Sequence, residues 1–169
     1  MKLKRLSREN GLWNELWKDW DKQCAEFQED FSDFAPSSLS TLKDLAEEPE
    51  RPTAGVFGLH DGVEFKALCQ LNVAFLPRYT GRVLRLRHLV LSPRFDFSPD
   101  VEVQEYEKVL ASTFAQTVML TKTDMPAQHV KLHFRSPADR EFFNTFKRDI
   151  EATGAFASVQ MQGAWLYIN

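Results

Sequence analysis

The residues with the clearest chemical potential are arginines. From position 66 to 95 the chain carries Lys66, Arg78, Arg82, Arg85, Arg87 and Arg94 and no acid, a net charge of +6. A guanidinium presents a rigid fork of donors that matches phosphate and carboxylate oxygens, so an anionic ligand is one use such a segment could have. Positions 9 to 50 oppose it, with twelve acids against Lys18, Lys22 and Lys43, a net of −9. The two segments either form surfaces of opposite potential or neutralise each other. Metal chemistry is poorly served. His129 and His133 flank one short stretch, but no carboxylate or cysteine completes a ligand set with them. Cys24 and Cys69 stand in no ligand-like spacing, which fits a reducing compartment and argues against a disulfide framework or a zinc site. His88 reads as a strand histidine without a chemical role. No spacing nominates a catalytic residue.

The elements that must position these groups belong to one domain, 1–169, of ordinary globular make-up, 43% hydrophobic and 27% charged. The basic start, Met1 to Leu6, meets polar residues before any apolar run forms, so no signal peptide is expected. No stretch approaches the roughly 20 apolar residues of a membrane helix, and a cytoplasmic protein is the expectation.

Trp13, Trp17, Trp20, Cys24, Phe27, Phe31 and Phe34 recur at helical spacing, which predicts one aromatic-faced helix with Asn10 as its N-cap, packed as core. Pro36 ends it. A second helix is predicted from Leu39 to Glu47 with Ser38 as cap. Period two then takes over. Ala54–Leu59 and Phe65–Phe75 read as strands joined by a tight turn at His60-Asp61-Gly62, and Arg82–Leu91 as a third strand, together an antiparallel meander. Ser92–Pro99 reads as a loop and Val101–Phe114 as a helix. Val130, Leu132 and Phe134 alternate with Lys131, His133 and Arg135 in a strand. Pro137 opens a helix that closes near Gly154. Short strands around Val159–Met161 and Ala164–Ile168 end the chain. The predicted order is β-α-α-β-β-β-α-β-α-β-β, a mixed α/β fold with a sheet antiparallel first and parallel later.

That order, with Arg87-His88-Leu89-Val90-Leu91-Ser92-Pro93 and Gly154-Ala155-Phe156, resembles the GNAT superfamily of acyl-CoA N-acyltransferases. The resemblance implies that strand-end backbone at Leu89, Val90 and Leu91 holds the pantetheine arm of acetyl-CoA or another acyl-CoA. It also implies a Gln/Arg-x-x-Gly-x-Gly/Ala loop wrapping the pyrophosphate at a helix N-terminus. Here the loop reads Arg94-Phe95-Asp96-Phe97-Ser98-Pro99-Asp100. It contains no glycine, Pro99 lacks an N–H, and Asp96, Asp100 and Glu102 bring negative charge. Arg94 is its one phosphate-suited residue. The position of the family's carboxylate base maps to Arg85, which cannot accept a proton. The helix that carries the family's tyrosine acid has Phe142, Phe143 and Phe146 and no tyrosine. Tyr106, Tyr167 and His88 are the spare groups nearby.

Three functions follow from this reading. The first is acyl transfer from acyl-CoA to a small-molecule or protein amine through an atypical cofactor loop, with the acidic front suiting a cationic acceptor. The second is a catalytically inactive GNAT-like interaction or regulatory module. The third is an anion or nucleic-acid binder built on the Arg78–Arg94 patch. Against the third, no recognised nucleic-acid motif is present, and the arginines alternate along a strand rather than lining a helix, so nucleic acid is not expected. A second copy of the chain, in a homodimer, is a further candidate partner.

Overall fold

Alternation sorts the strands' side chains onto two faces, and both faces acquire helices. The computed structural model describes residues 1–134 and 136–169. Its elements are β1 (Lys2–Leu6), α1 (Leu12–Glu26), α2 (Pro36–Glu47), β2 (Ala54–His60), β3 (Phe65–Phe75), β4 (Arg82–Leu91), α3 (Pro93–Phe97), α4 (Val103–Leu120), β5 (His129–His133), α5 (Pro137–Ala152), β6 (Val159–Gln162) and β7 (Trp165–Ile168). The strands form one sheet in the order β1-β2-β3-β4-β5-β7-β6. On one face Leu84, Leu86, Leu132 and Leu166 pack under Leu110 and Phe114 of α4 and Phe143 of α5. On the other, Leu6, Val56, Leu68 and Val90 pack under Trp13, Leu16, Trp20 and Leu42 of α1 and α2.

The class is mixed α/β as expected, but several details change. The sheet does not become parallel in its second half. Among the described residues only β4 and β5 run parallel, and β7 returns antiparallel to both β5 and β6. The reason is the hairpin at Gly163, whose positive φ of 59° turns the chain straight back. The stretch 92–99 is not all loop. Pro93 occupies the first position of the short helix α3, where its missing N–H costs nothing, so the order gains one helix. The following helix starts at Val103 rather than Val101 and runs on to Leu120. Thr113 and Thr117 return their hydroxyls to the carbonyls of Val109 and Thr113, so neither competes with the helix as a free polar group would.

The aromatic stripe is not one helix. α1 stops at Glu26, and Gln28 and Ala35 take positive φ values of 60° and 43°, which no α-helix continues. Phe31 and Phe34 nevertheless fold back edge-on against Trp17 and Trp20. Trp13, Trp20, Cys24, Phe31 and Phe34 are buried, whereas Trp17 and Phe27 are half-buried. Gly11, not Asn10, is the N-cap of α1, and Asn10 instead accepts from the N–H groups of Leu12 and Ser7. α2 starts at Pro36, which places Ser38 inside the helix rather than at its cap. In the fifth strand Phe134 falls just past the end, and Arg135 lies outside the described residues. Gly154, at φ 64°, follows α5 as expected.

Candidate functional site

β4 is the element on which the site expectations converge. It pairs with β5 only from Val83–His129 to Leu86–Leu132. Beyond that point, Arg87 to Leu91 keep β3 on one side and, among the described residues, have no strand on the other. A bulge marks the change. The β3–β4 register slips between Leu68 and Gln70, and His88 takes a φ of 51°. A bulge of this kind adds twist and bends the strand, which turns the end of β4 away from β5. Leu89, Val90 and Leu91 therefore lie on the free edge of a wedge. Val90 points into the α1–α2 core, and Leu89 and Leu91 are half-buried towards α4.

Between α4 and α5 lies a groove of about 670 Å³, lined by residues of those two helices and not by β4. Its floor is apolar, with Val103, Tyr106, Ala111, Phe142 and Phe146. Its rim is acidic, with Glu107, Glu141 and Asp149 against one base, Lys108. At one end Tyr106 donates to Asp139 Oδ1 at 2.5 Å. Asp139 sits in the first turn of α5, which Ser136 caps by accepting from the Ala138 and Asp139 N–H groups. Burial raises the Asp139 pKa, the Tyr106 bond pulls it back, and nearby Asp96 adds to the rise. Burial and the Asp139 carboxylate push the Tyr106 hydroxyl well above its ordinary value. Tyr106 is thus engaged as a donor and is a poor source of a proton at neutral pH.

Arg94 is not turned towards the groove. It lies against α1, with its guanidinium 3.7 Å from Glu26 and 3.9 Å from Glu64, and its N–H donates to Gln23. Lys66 is likewise enclosed by Glu64 at 2.6 Å, Glu105 at 3.0 Å and Asp61 at 3.7 Å. Part of the basic middle segment is therefore neutralised by acids of α1, the β2–β3 turn and α4. Arg85 and Arg87 are not, and among the described residues neither forms an ion pair. His129 and His133 lie on the same sheet face, and among the described residues no group of three or more His, Cys, Asp and Glu could hold a metal. Both cysteines are free and buried, and burial raises both thiols, Cys24 to about 11 and Cys69 to about 12, which leaves no thiolate nucleophile at neutral pH.

No family model matches the chain, and no curated relative matches it. Likeness appears only in solved structures. An aminoglycoside acetyltransferase from an uncultured soil metagenomic sample, solved with sisomicin, aligns at 12% identity and a TM-score of 0.43, covering 96% of this chain and 94% of that one. The BH1408 protein of Bacillus halodurans, as a tetramutant, aligns at 11% identity and a TM-score of 0.40, covering 96% and 98%. At such scores neither likeness passes any chemistry to this chain.

Two relationships escaped the sequence reading. The Tyr106–Asp139 bond joins residues 33 positions apart, and no local signal marks it. The pairing of Arg85 with Lys131 across the β4–β5 register depends on which strands become neighbours, although the alternation had already placed both on polar faces. No helix of the described residues is long and apolar enough to cross a membrane.

Proposed function

We propose that residues 1–169 act as one GNAT-like domain that takes an acyl thioester along β4 and passes the acyl group to an amine. The observation that supports this reading is the separation of β4 from β5 after Leu86, which leaves the backbone of Leu89, Val90 and Leu91 available to an extended arm such as pantetheine. In the transfer, the thioester C–S bond breaks, a C–N amide bond forms, the carrier leaves as its thiol, and the amine gives up one proton. Arg85 cannot take that proton, and Tyr106 is engaged with Asp139, so a water relay is the acceptor this arrangement favours. Rate acceleration would come mainly from holding thioester and amine together. An acetyl-CoA or other acyl-CoA cofactor would gain little at its phosphates, because Arg94 is held by Glu26 and Glu64.

Those same pairings favour a second reading, a non-catalytic interaction or regulatory module. Calorimetric titration separates the two with acetyl-CoA, free CoA and S-acetylpantetheine. The enzyme reading expects acetylpantetheine to bind nearly as well as acetyl-CoA. Absence of binding by all three at millimolar ligand leaves the module.

A further inference from the structure

The helices α1 and α2 cover only part of their sheet face, and the uncovered part carries an unusual charge pattern. Following the register across four strands, Arg85 of β4 stands beside Lys131 of β5, Lys131 beside Tyr167 of β7, and Tyr167 beside Gln160 of β6. Arg87 lies two residues along β4 on the same face. Strand spacing makes this row about 15 Å long. Lys131 Nζ lies 4.1 Å from the Trp165 ring centre and 4.7 Å from that of Tyr167.

Among the described residues Arg85, Arg87 and Lys131 form no ion pair, and the Nε–H groups of Arg85 and Arg87 are buried without a hydrogen-bond partner. Like charges on neighbouring strands destabilise a sheet, and an unpaired buried donor costs free energy as well. Burial and the Arg87 charge both press down the pKa of Arg85, in keeping with a cation that lacks a counter-charge. Lys66 and Arg94 differ in that each is met by two or more acids, although the Nε–H of Arg94, like that of Arg140, is also buried without a partner. Lys131, Tyr167 and Gln160 of the row also line a concavity of about 650 Å³ together with Arg78, Tyr79 and His129; Arg85 and Arg87 lie outside its lining, which includes no acidic side chain. That volume suits a small molecule.

We propose that this open sheet face binds a small phosphate-bearing ligand, its phosphates on Arg85, Arg87 and Lys131 and its remainder in the concavity beside Tyr79 and Tyr167. Phosphate fits because two guanidiniums and an ammonium share this sheet face and form no ion pair. The site uses neither the backbone of Leu89–Leu91 nor Arg94, so it stands whether or not acyl transfer occurs.

The test is thermal shift and calorimetry with tripolyphosphate, ATP and adenosine on wild type, Arg85→Gln, Lys131→Gln, the double variant and Arg94→Gln. Tripolyphosphate or ATP is expected to stabilise wild type, with roughly tenfold weaker binding for each single variant and none for the double. Arg94→Gln should bind as wild type does. Stabilisation by ATP well beyond tripolyphosphate assigns a nucleotide, and equal effects assign a phosphate source without a base. Without ligand, Arg85→Gln should be at least as stable as wild type, because it relieves the repulsion with Arg87. The proposal is overturned if neither anion stabilises wild type at millimolar concentration, if the double variant binds unchanged, if Arg94→Gln abolishes binding, or if unliganded Arg85→Gln is less stable than wild type.

Discussion

Tyr106 and Asp139 tie the first turn of α4 to the first turn of α5 through one 2.5 Å hydrogen bond, closing one end of the groove between the two helices. The acceptor is nearly inaccessible to water, at 6% exposure. A carboxylate so placed holds the helices together but is costly to ionise.

The sign of its pH dependence follows from its pKa, which is raised above the ordinary 3.8. The native state keeps the Asp139 proton to higher pH than the unfolded chain does. This contribution is therefore largest below the unfolded value and is lost as pH rises through the folded one. Asp139→Asn removes the titration while keeping an oxygen for Tyr106. The stability of Asp139→Asn relative to wild type should therefore grow between pH 4 and neutrality, as read by urea unfolding at both values. A difference that is flat with pH would count against a buried, ionising Asp139. Tyr106→Phe at neutral pH should cost about 1.5–3 kcal/mol, the range for a hydrogen bond to a charged group.

Lys66 has the opposite sign. Burial opposes its charge, but hydrogen bonds to Glu64 and Glu105 outweigh it and raise its pKa above 10.5. Its contribution is present at all pH values below the unfolded pKa and is lost as pH rises through the higher folded one. Lys66→Met strands Glu64 and Glu105 beside each other. Their partial exposure limits the loss to roughly 1–3 kcal/mol. The penalty should shrink in acid, where the two carboxylates protonate, and chemical denaturation at pH 4 and 7 reads that change.

The indole stripe gives a graded prediction. Trp20 is fully buried and donates Nε1–H to the Phe65 carbonyl at 2.9 Å, so Trp20→Ala should cost about 3–5 kcal/mol. Trp17 is half-buried, with Lys43 over its ring, and Trp17→Ala should cost roughly half as much. Equal losses in denaturant midpoints would mean that the two indoles share one environment.

The contrast between these residues indicates what the sequence could disclose. Trp13 and Trp20 were legible as core because helical spacing alone puts them on one face, and the alternation of β3 was legible because each strand residue has only two sides to choose from. Trp17 belongs to the same stripe, yet its burial depends on how Phe31 folds back after the left-handed Gln28, which spacing does not encode. The wedge was only half legible. Leu89 to Leu91 stood at the end of a strand, but the bulge at His88 is a non-glycine residue at positive φ, with no turn signal around it. Pairing within the β2–β3–β4 meander was legible from its turns, but the partners beyond it were not. The parallel contact of β4 with β5, and so the Arg85–Lys131 row, is decided by tertiary packing, as are the carboxylates that claim Arg94.

Arg94 supplies the prediction that separates the two functional readings. If its guanidinium bound a cofactor phosphate, Arg94→Ala would weaken acetyl-CoA binding by about ten- to a hundredfold, the worth of a charge-assisted hydrogen bond. The geometry predicts less. Glu26 and Glu64 already hold Arg94 at 3.7 and 3.9 Å, and a phosphate would have to displace both. Arg94→Ala is therefore expected to change acetyl-CoA affinity by less than about tenfold and acetylpantetheine affinity not at all. Glu26→Gln is the informative partner. The pair is exposed at both ends and worth at most about 1 kcal/mol, so freeing Arg94 should tighten acetyl-CoA by no more than roughly fivefold. Calorimetry on the two variants reads both numbers. Tightening in Glu26→Gln that is absent with acetylpantetheine would place the CoA phosphates beside Arg94 and the acyl thioester along β4. No binding in either variant or in wild type would leave Arg94 as a clamp between α1 and α3, and the domain as a module without a thioester.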